Sequence, residues 1–214
     1  LLLKQLEKEA KRRRDTNRLK FYAPYRKQRE FHAAGKDKRE RLLMAANRFG
    51  KTQCGAAELA IHLTGKYPDW WIGKRFDRPV KAWAAGVTGE STRDVVQDKL
   101  LGPPQRQEEW GTGFIPKTDI ADSSMARGIA DAIDTVSVAH VAGGFSTLQF
   151  KSYEKGREKW QGSALDVAWL DEEPPEDIYF EALTRTNETK GMVYLTFTPL
   201  MGMSNVVHRF LYGD

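Results

Sequence analysis

RLLMAANRFGKTQCGAAELAIHLTG, residues 41–65, is the stretch on which the fold turns. An apolar run, RLLMAA, leads into Asn47, Arg48, Phe49, Gly50, Lys51 and Thr52, and a stretch of small and helix-forming residues follows. Strand, loop and helix in that order predict a phosphate-binding loop. It has one departure: the position that normally opens the pattern with glycine is Ala45. Gly50 allows close backbone approach, loop amides at a helix N-terminus cradle phosphate oxygens, Lys51 neutralises the outer phosphates and Thr52 holds magnesium. A Gly-Lys-Ser/Thr tripeptide alone arises by chance in roughly one chain of this length in ten, so the flanking strand and helix carry the weight. The competing reading is a tight strand-to-helix turn with an incidental lysine.

On either side of the loop, short apolar runs alternate with longer amphipathic stretches, which predicts an α/β fold with a mainly parallel central sheet flanked by helices. Strands are expected over 42–46, 80–86, 135–140, 147–153, 165–170 and 192–197. Helices are expected over 51–63, 91–101 and 175–186, the last opened by prolines whose missing amide donors do no harm there. VAGGFST, residues 141–147, is short enough for a hairpin and predicts one antiparallel pair. Residues 64–79 and 102–130 read as loop or insertion.

LDVAWLDEE, residues 165–173, places carboxylates at the end of a later strand. Asp171 can bind magnesium directly or through water, and Glu172 can orient and activate an attacking water. Glu173 is the second choice for that base, and DEEPPED could instead cap the following helix. Ahead of the phosphate loop, FYAPYRKQREFHAAG brings Gln28 after an aromatic and proline-containing turn. A glutamine amide donates and accepts at once, which suits the adenine edge, and Tyr22 and Tyr25 could cover the ring or pack.

The chain has 214 residues, 34 Lys and Arg against 29 Asp and Glu, and one cysteine, which excludes an internal disulfide. No apolar run approaches the roughly 20 residues that span a bilayer, and the expectation is a soluble, intracellular protein. Residues 1–41 hold 15 basic and 6 acidic side chains, net +9, whereas the remainder is net −4. LLLKQLEKEAKRRRDTNRLK reads as a basic amphipathic helix, either docked through Leu2, Leu3 and Leu6 or touching a polyanion. The four histidines lack metal-ligand spacing, and Cys54 is expected to pack beneath the phosphate loop. YPDWWIGKRF, residues 67–76, is open to DNA contact, though paired tryptophans more often pack.

These pieces, in this order, resemble the ATPase domain of the large terminase subunit of tailed bacteriophages. The resemblance rests on PYRKQREFH as the adenine motif, AANRFGKT as a variant Walker A loop, LDVAWLDEEPP as Walker B with its glutamate, and LTFTPLMGMS as the coupling motif. GVTGESTRDVVQDKLLG, KGREKWQG and EALTRTN add to it. It implies a RecA-like P-loop NTPase of the additional-strand, catalytic-glutamate (ASCE) type that binds ATP with Mg2+.

Carried over by position, the resemblance makes Gln28 the adenine reader with Tyr25 beside it, and Asn47 to Thr52 the phosphate cradle. Thr52 and Asp171 become the metal ligands, Glu172 the catalytic base, and Thr198, with Thr196, the coupling residue. Without the resemblance, the Thr196–Pro199 turn reads equally as a strand terminator. Arg48, in cis, and Arg157, towards a neighbouring subunit, are the two arginine-finger candidates, since a planar guanidinium suits developing phosphoryl charge.

The expected activity is ATP hydrolysis driving double-stranded DNA into a procapsid. The expected partners are the portal protein, the small terminase subunit and identical copies in a ring of five, with a monomer in isolation and the host cytoplasm as location. Residues 1–41 would be a basic lead-in and 42–214 the motor core. The nuclease domain that follows the motor in this family has no room after the coupling motif, so nuclease activity is not expected. Two other functions remain open: a helicase-like ATPase, disfavoured because 214 residues cannot hold a second motor lobe, and a nucleotide-gated interaction module without turnover.

Overall fold

Every residue of Val167–Asp171 and of Met192–Phe197 is buried, as expected for strands covered on both faces. The two pair in parallel with Asp171 opposite Thr196. In the computed structural model, which describes residues 2–162, 164–200 and 202–213, they lie inside a seven-stranded sheet. The chain runs α1 (Leu2–Thr16), α2 (Arg26–Ala34), β1 (Glu40–Met44), α3 (Lys51–Thr64) and β2 (Lys81–Gly86). Next come α4 (Gly89–Ser91), a π-helical stretch (Thr92–Gln97) and α5 (Asp98–Leu101), then β3 (Ile120–Met125), β4 (Ile133–Ala139) and β5 (Phe145–Ser152). The chain closes with β6 (Val167–Asp171), α6 (Glu176–Arg185), β7 (Met192–Phe197) and α7 (Asn205–Tyr212).

The sheet order is β1-β7-β6-β2-β5-β4-β3, with the first five strands parallel, β4 antiparallel to β5 and β3 antiparallel to β4. Strand β7 thus stands between the strand that enters the phosphate loop and the strand that ends on Asp171. This is the additional-strand arrangement of a P-loop NTPase. Alternation along the strands splits the core in two. Ala84, Val167, Trp169 and Tyr194 pack under α3 on one face, while Ala85, Ala168, Leu170 and Leu195 pack under α6 and α7 on the other. Helix α3 lies close because Gly55 faces the indole of Trp169, where a Cβ would come within 2.4 Å of the ring.

The predicted strands all form, with ends displaced by one or two residues, and Met192–Phe197 matches to the residue. The first strand starts at Glu40 and stops at Met44, because Ala45 and Ala46 already belong to the loop. The hairpin expected at 141–147 joins β4 to β5. Residues 102–130, read as loop, contain β3: its residues IADSSM carry no apolar alternation because all but the half-buried Ile120 are exposed on an edge strand. Helices α2 and α7 also lie outside the expected elements.

Helix α1 forms as expected, but its docking does not. Leu3 and Leu6 are 70% and 58% exposed, so the leucine face meets solvent, and the side chain of Leu2 lies outside the described residues. Trp71 is buried in the core and Trp70 packs against it, which settles YPDWWIGKRF as packing for that pair. No helix among the described residues is long and apolar enough to cross a membrane.

Candidate active site

The phosphate loop leaves the carboxyl end of β1, two strands away from Asp171 at the carboxyl end of β6. Two backbone positions around them are left-handed in residues other than glycine, Arg48 (φ 67°) and Glu172 (φ 61°), and such strain concentrates where geometry is functional. Gly50 (φ 75°) supplies the turn into α3 at no steric cost.

Lys51 is buried, and its ammonium donates to the carbonyl of Ala46 at 2.9 Å and to Thr198 Oγ1 at 2.8 Å. Thr198 Oγ1 in turn lies 3.0 Å from the carbonyl of Ala45 and 2.9 Å from Asn47 Oδ1. The residue after β7 is therefore joined directly to the loop lysine.

The second cluster centres on Asp171, which is 3% exposed. Thr52 Oγ1 lies 3.1 and 3.2 Å from its two carboxylate oxygens, and Thr196 Oγ1 donates to Oδ1 at 2.6 Å. The indole of Trp169 donates to Thr196 Oγ1 at 2.8 Å, occupying a lone pair so that the hydroxyl proton points at Asp171. Burial pushes the Asp171 carboxyl up to about 7 and Glu172 adds to this, while the Thr196 and Thr52 hydrogen bonds and Lys51 pull it back. Tyr153 reaches across from the end of β5, its hydroxyl 2.9 Å from the Asp171 carbonyl and 3.2 Å from that of Glu172, and so holds the strand end.

Glu172 has no side-chain hydrogen bond or ion pair among the described residues, and its amide donates to the carbonyl of Thr196 at 3.0 Å. Glu173, by contrast, accepts from Ser204, the N-cap of α7. Of the two glutamates, Glu172 is the one left free to handle a water proton. Thr52 and Asp171 offer adjacent hard oxygens, the donor type magnesium takes when the nucleotide and waters complete its shell. Among the described residues no group of three or more His, Cys, Asp and Glu is arranged to hold a metal.

Gln28 is 5% exposed, its Oε1 accepting from the Tyr25 amide at 2.9 Å and its Nε2 donating to the carbonyl of Gly50 at 3.1 Å. It braces the phosphate loop, with one N–H and one lone pair remaining. A groove of about 1040 Å³ runs along the free edge of β1 from Tyr25 and Gln28 past Arg48 and Phe49 to Lys51. Tyr25 is exposed beside it, whereas Tyr22 is buried with its hydroxyl 3.0 Å from His32 Nε2. Arg48 is exposed. Arg157 follows β5, and its Nε donates to Glu181 at 2.9 Å while 57% of its side chain stays in solvent.

Sequence reasoning missed a buried network beneath α3. Glu58 pairs with Arg41 of β1 at 2.5 Å and with His32 of α2 at 2.6 Å, and His62 Nε2 lies 3.5 Å away. Burial opposes ionisation of Glu58, but Arg41, His32 and His62 outweigh it and hold the carboxyl well below its usual range. Cys54 is fully buried in the first turn of α3, 3.5 Å from His32 Nε2. No periodicity foretells partners 17 and 26 residues apart.

Sheet order, phosphate loop and paired threonine contacts define a P-loop NTPase fold, with Lys51, Thr52, Asp171 and Thr198 gathered at the carboxyl ends of β1, β6 and β7. The chain belongs to the family of phage terminase large subunits: the family model "Terminase large subunit, T4likevirus-type, N-terminal" matches residues 42–214. The chain is 44% identical over 227 aligned positions to the terminase large subunit of Salmonella phage P22, covering 98% of this chain and 45% of that protein. The large subunit of Enterobacteria phage LP7 is 30% identical, with 98% and 47% covered. The chain thus spans under half the length of these relatives. The large terminase of a thermophilic bacteriophage superposes with a TM-score of 0.55 at 15% identity, covering 82% of this chain and 39% of that one. The ADP complex of that terminase superposes at 0.51 and 16%, covering 82% and 38%.

Proposed function

We propose that this chain is an ATP-hydrolysing motor domain whose turnover moves double-stranded DNA. The observation that carries the reading is the pair of contacts Lys51–Thr198 and Thr52–Asp171, which bring loop, carboxylate strand and coupling strand to one edge. The likeness to a terminase whose structure was determined with ADP supports it.

In this reading Lys51 and the Asn47–Thr52 backbone neutralise the phosphates, and Gln28 and Tyr25 border the base in the groove beside β1. Thr52 and Asp171 would hold a magnesium ion, which would supply positive charge to the phosphate oxygens. Glu172 accepts a proton from the attacking water, whose oxygen bonds to the γ-phosphorus as the bond to the ADP oxygen breaks. Thr198, joined to Lys51, moves β7 when the γ-phosphate leaves, and Thr196 carries that movement to Asp171. Arg157 presents its free guanidinium nitrogens to a neighbouring subunit, with Arg48 as the finger in cis.

The setting is a five-membered ring on the portal protein of a procapsid in the host cytoplasm, supplied with DNA by the small terminase subunit. Residues 42–214 form the motor core and 1–41 its basic lead-in. Calorimetric titration with ATP and magnesium tests the first step. Wild type is expected to bind and Lys51→Ala to bind at least tenfold more weakly, whereas equal binding by both proteins contradicts the reading.

A further inference from the structure

A second polar concavity lies at the opposite edge of the sheet. The turn after α2, the loop before β2 and the α6–β7 turn enclose a cleft of about 280 Å³ lined by Lys36, Lys38, Arg39, Lys74 and Lys190, against a single carboxylate, Asp37. These cations come from three separate places in the sequence and meet only in the fold. Lys36, Lys38 and Arg39 precede β1, Lys74 precedes β2 and Lys190 precedes β7, whereas the phosphate loop follows β1, so about 17 Å of strand separates the cleft from the proposed nucleotide site.

None of the five cations is neutralised by an ion pair among the described residues. Arg39 donates to Asn187, to the Leu183 carbonyl and to Thr186 Oγ1, all uncharged, and its buried Nε has no partner. Lys74 donates to the Lys190 carbonyl. Burial lowers its pKa and Arg39 and Arg78 lower it further, with Asp166 opposing. Asp166 itself is committed to Arg78 at 2.7 Å. Lys36, Lys38 and Lys190 are exposed and their ammonium groups make no hydrogen bond or ion pair among the described residues, and Glu188 is the acidic neighbour on the turn. Crowding like charges around a concavity costs free energy that an anion would recover.

We infer that this cleft holds the phosphodiester backbone of duplex DNA, at a contact site separate from the nucleotide site. The inference rests on the motor reading for the identity of the polyanion. Exposed lysines are compact, strongly hydrated charges without the rigid fork that selects one phosphate geometry, and they suit contacts that ignore sequence and release easily. A translocating motor requires contacts of that kind.

The test is duplex binding by fluorescence anisotropy over a salt series, comparing wild type with Lys36→Ala/Lys38→Ala/Lys190→Ala. Arg39 and Lys74 are left in place because they tie the turns together. Removing three phosphate contacts is expected to weaken binding roughly 10- to 100-fold at low salt and to flatten the slope of log K against log salt by about 2 to 3. Binding of ATP and the melting temperature should not move. A companion variant, Lys4→Ala/Lys8→Ala/Lys11→Ala in α1, separates this cleft from general basicity.

If the cleft variant binds duplex as wild type does, or if only the α1 variant weakens, the inference is overturned. It is equally overturned if wild type binds ATP but no duplex, while loss of ATP binding in wild type would sink the motor reading instead. Should the triple variant melt early, lysine acetylation footprinting of wild type decides. Protection of Lys36, Lys38 and Lys190 by duplex supports the cleft, and unchanged reactivity refutes it.

Discussion

At the scale of single residues, the site is a set of hydroxyl and carboxylate contacts whose proton positions are fixed by neighbours. Trp169 is fully buried, and its indole holds Thr196 in the orientation that serves Asp171. Trp169→Phe keeps most of the bulk and removes the donor. It is expected to weaken the apparent magnesium affinity, read as the magnesium dependence of ADP binding, roughly tenfold, with ADP binding in chelator unchanged. A purely structural role for Trp169 would weaken both together.

Asp171 carries a second consequence. Because its folded-state pKa is raised from 3.8 to about 7, the unfolded chain ionises first as pH climbs. Stability should therefore fall between about pH 4 and 7 and then level off. Asp171→Asn removes that loss, so in chelator it should be more stable than wild type at pH 7.5 by a few kcal/mol and no more stable at pH 4, as measured by urea denaturation. The sequence marked Asp171, Glu172, Lys51 and Thr52 through their spacing from strand and glycine. It did not mark Trp169 or Tyr153 as partners, because an indole inside an apolar run looks like any other core residue until its N–H is seen to face a threonine.

At the scale of elements, α3 is held by a close approach on one side and a buried charge network on the other. Gly55→Ala would drive a methyl into the Trp169 ring, and a cost of about 1 to 3 kcal/mol is expected in urea denaturation. Glu58→Ala leaves Arg41 buried and uncompensated while releasing His32 of α2. A loss of about 3 to 5 kcal/mol is expected, with weakened ATP binding because α2 also carries Gln28 to the phosphate loop. The small residues of TQCGAAELAIHLTG announced tight packing of this helix. The network stayed hidden because Arg41, Glu58, His32 and His62 read separately as a strand end, a helix polar position and scattered histidines. Strand β3 was missed for the opposite reason: an exposed edge strand has no buried face to impose a pattern, and IADSSM looks like loop.

At the scale of the whole molecule, two sets of charge lie at opposite edges of one sheet, the phosphate-loop and Asp171 cluster at the carboxyl edge and the lysine cleft at the amino edge. The mainly parallel sheet was legible from the alternation of apolar runs and the additional-strand type from the family resemblance, but spacing along the chain does not place β7 between β1 and β6. The placement of α1 was not legible, because a leucine stripe on a basic helix predicts an apolar face and not what covers it. Arg157 is tethered to Glu181 through one nitrogen with the rest in solvent, and the proposed completion of the site by a second copy would use those free nitrogens. The most direct measurement is steady-state ATP hydrolysis over a range of protein concentrations, with ATP binding followed in parallel for wild type, Glu172→Ala and Arg157→Ala. The account predicts that activity per subunit rises with concentration, that Glu172→Ala binds ATP but turns over at least roughly 100-fold more slowly, and that Arg157→Ala abolishes the concentration-dependent gain. A wild type that binds ATP and never hydrolyses it, even when concentrated and supplied with DNA, would contradict the account.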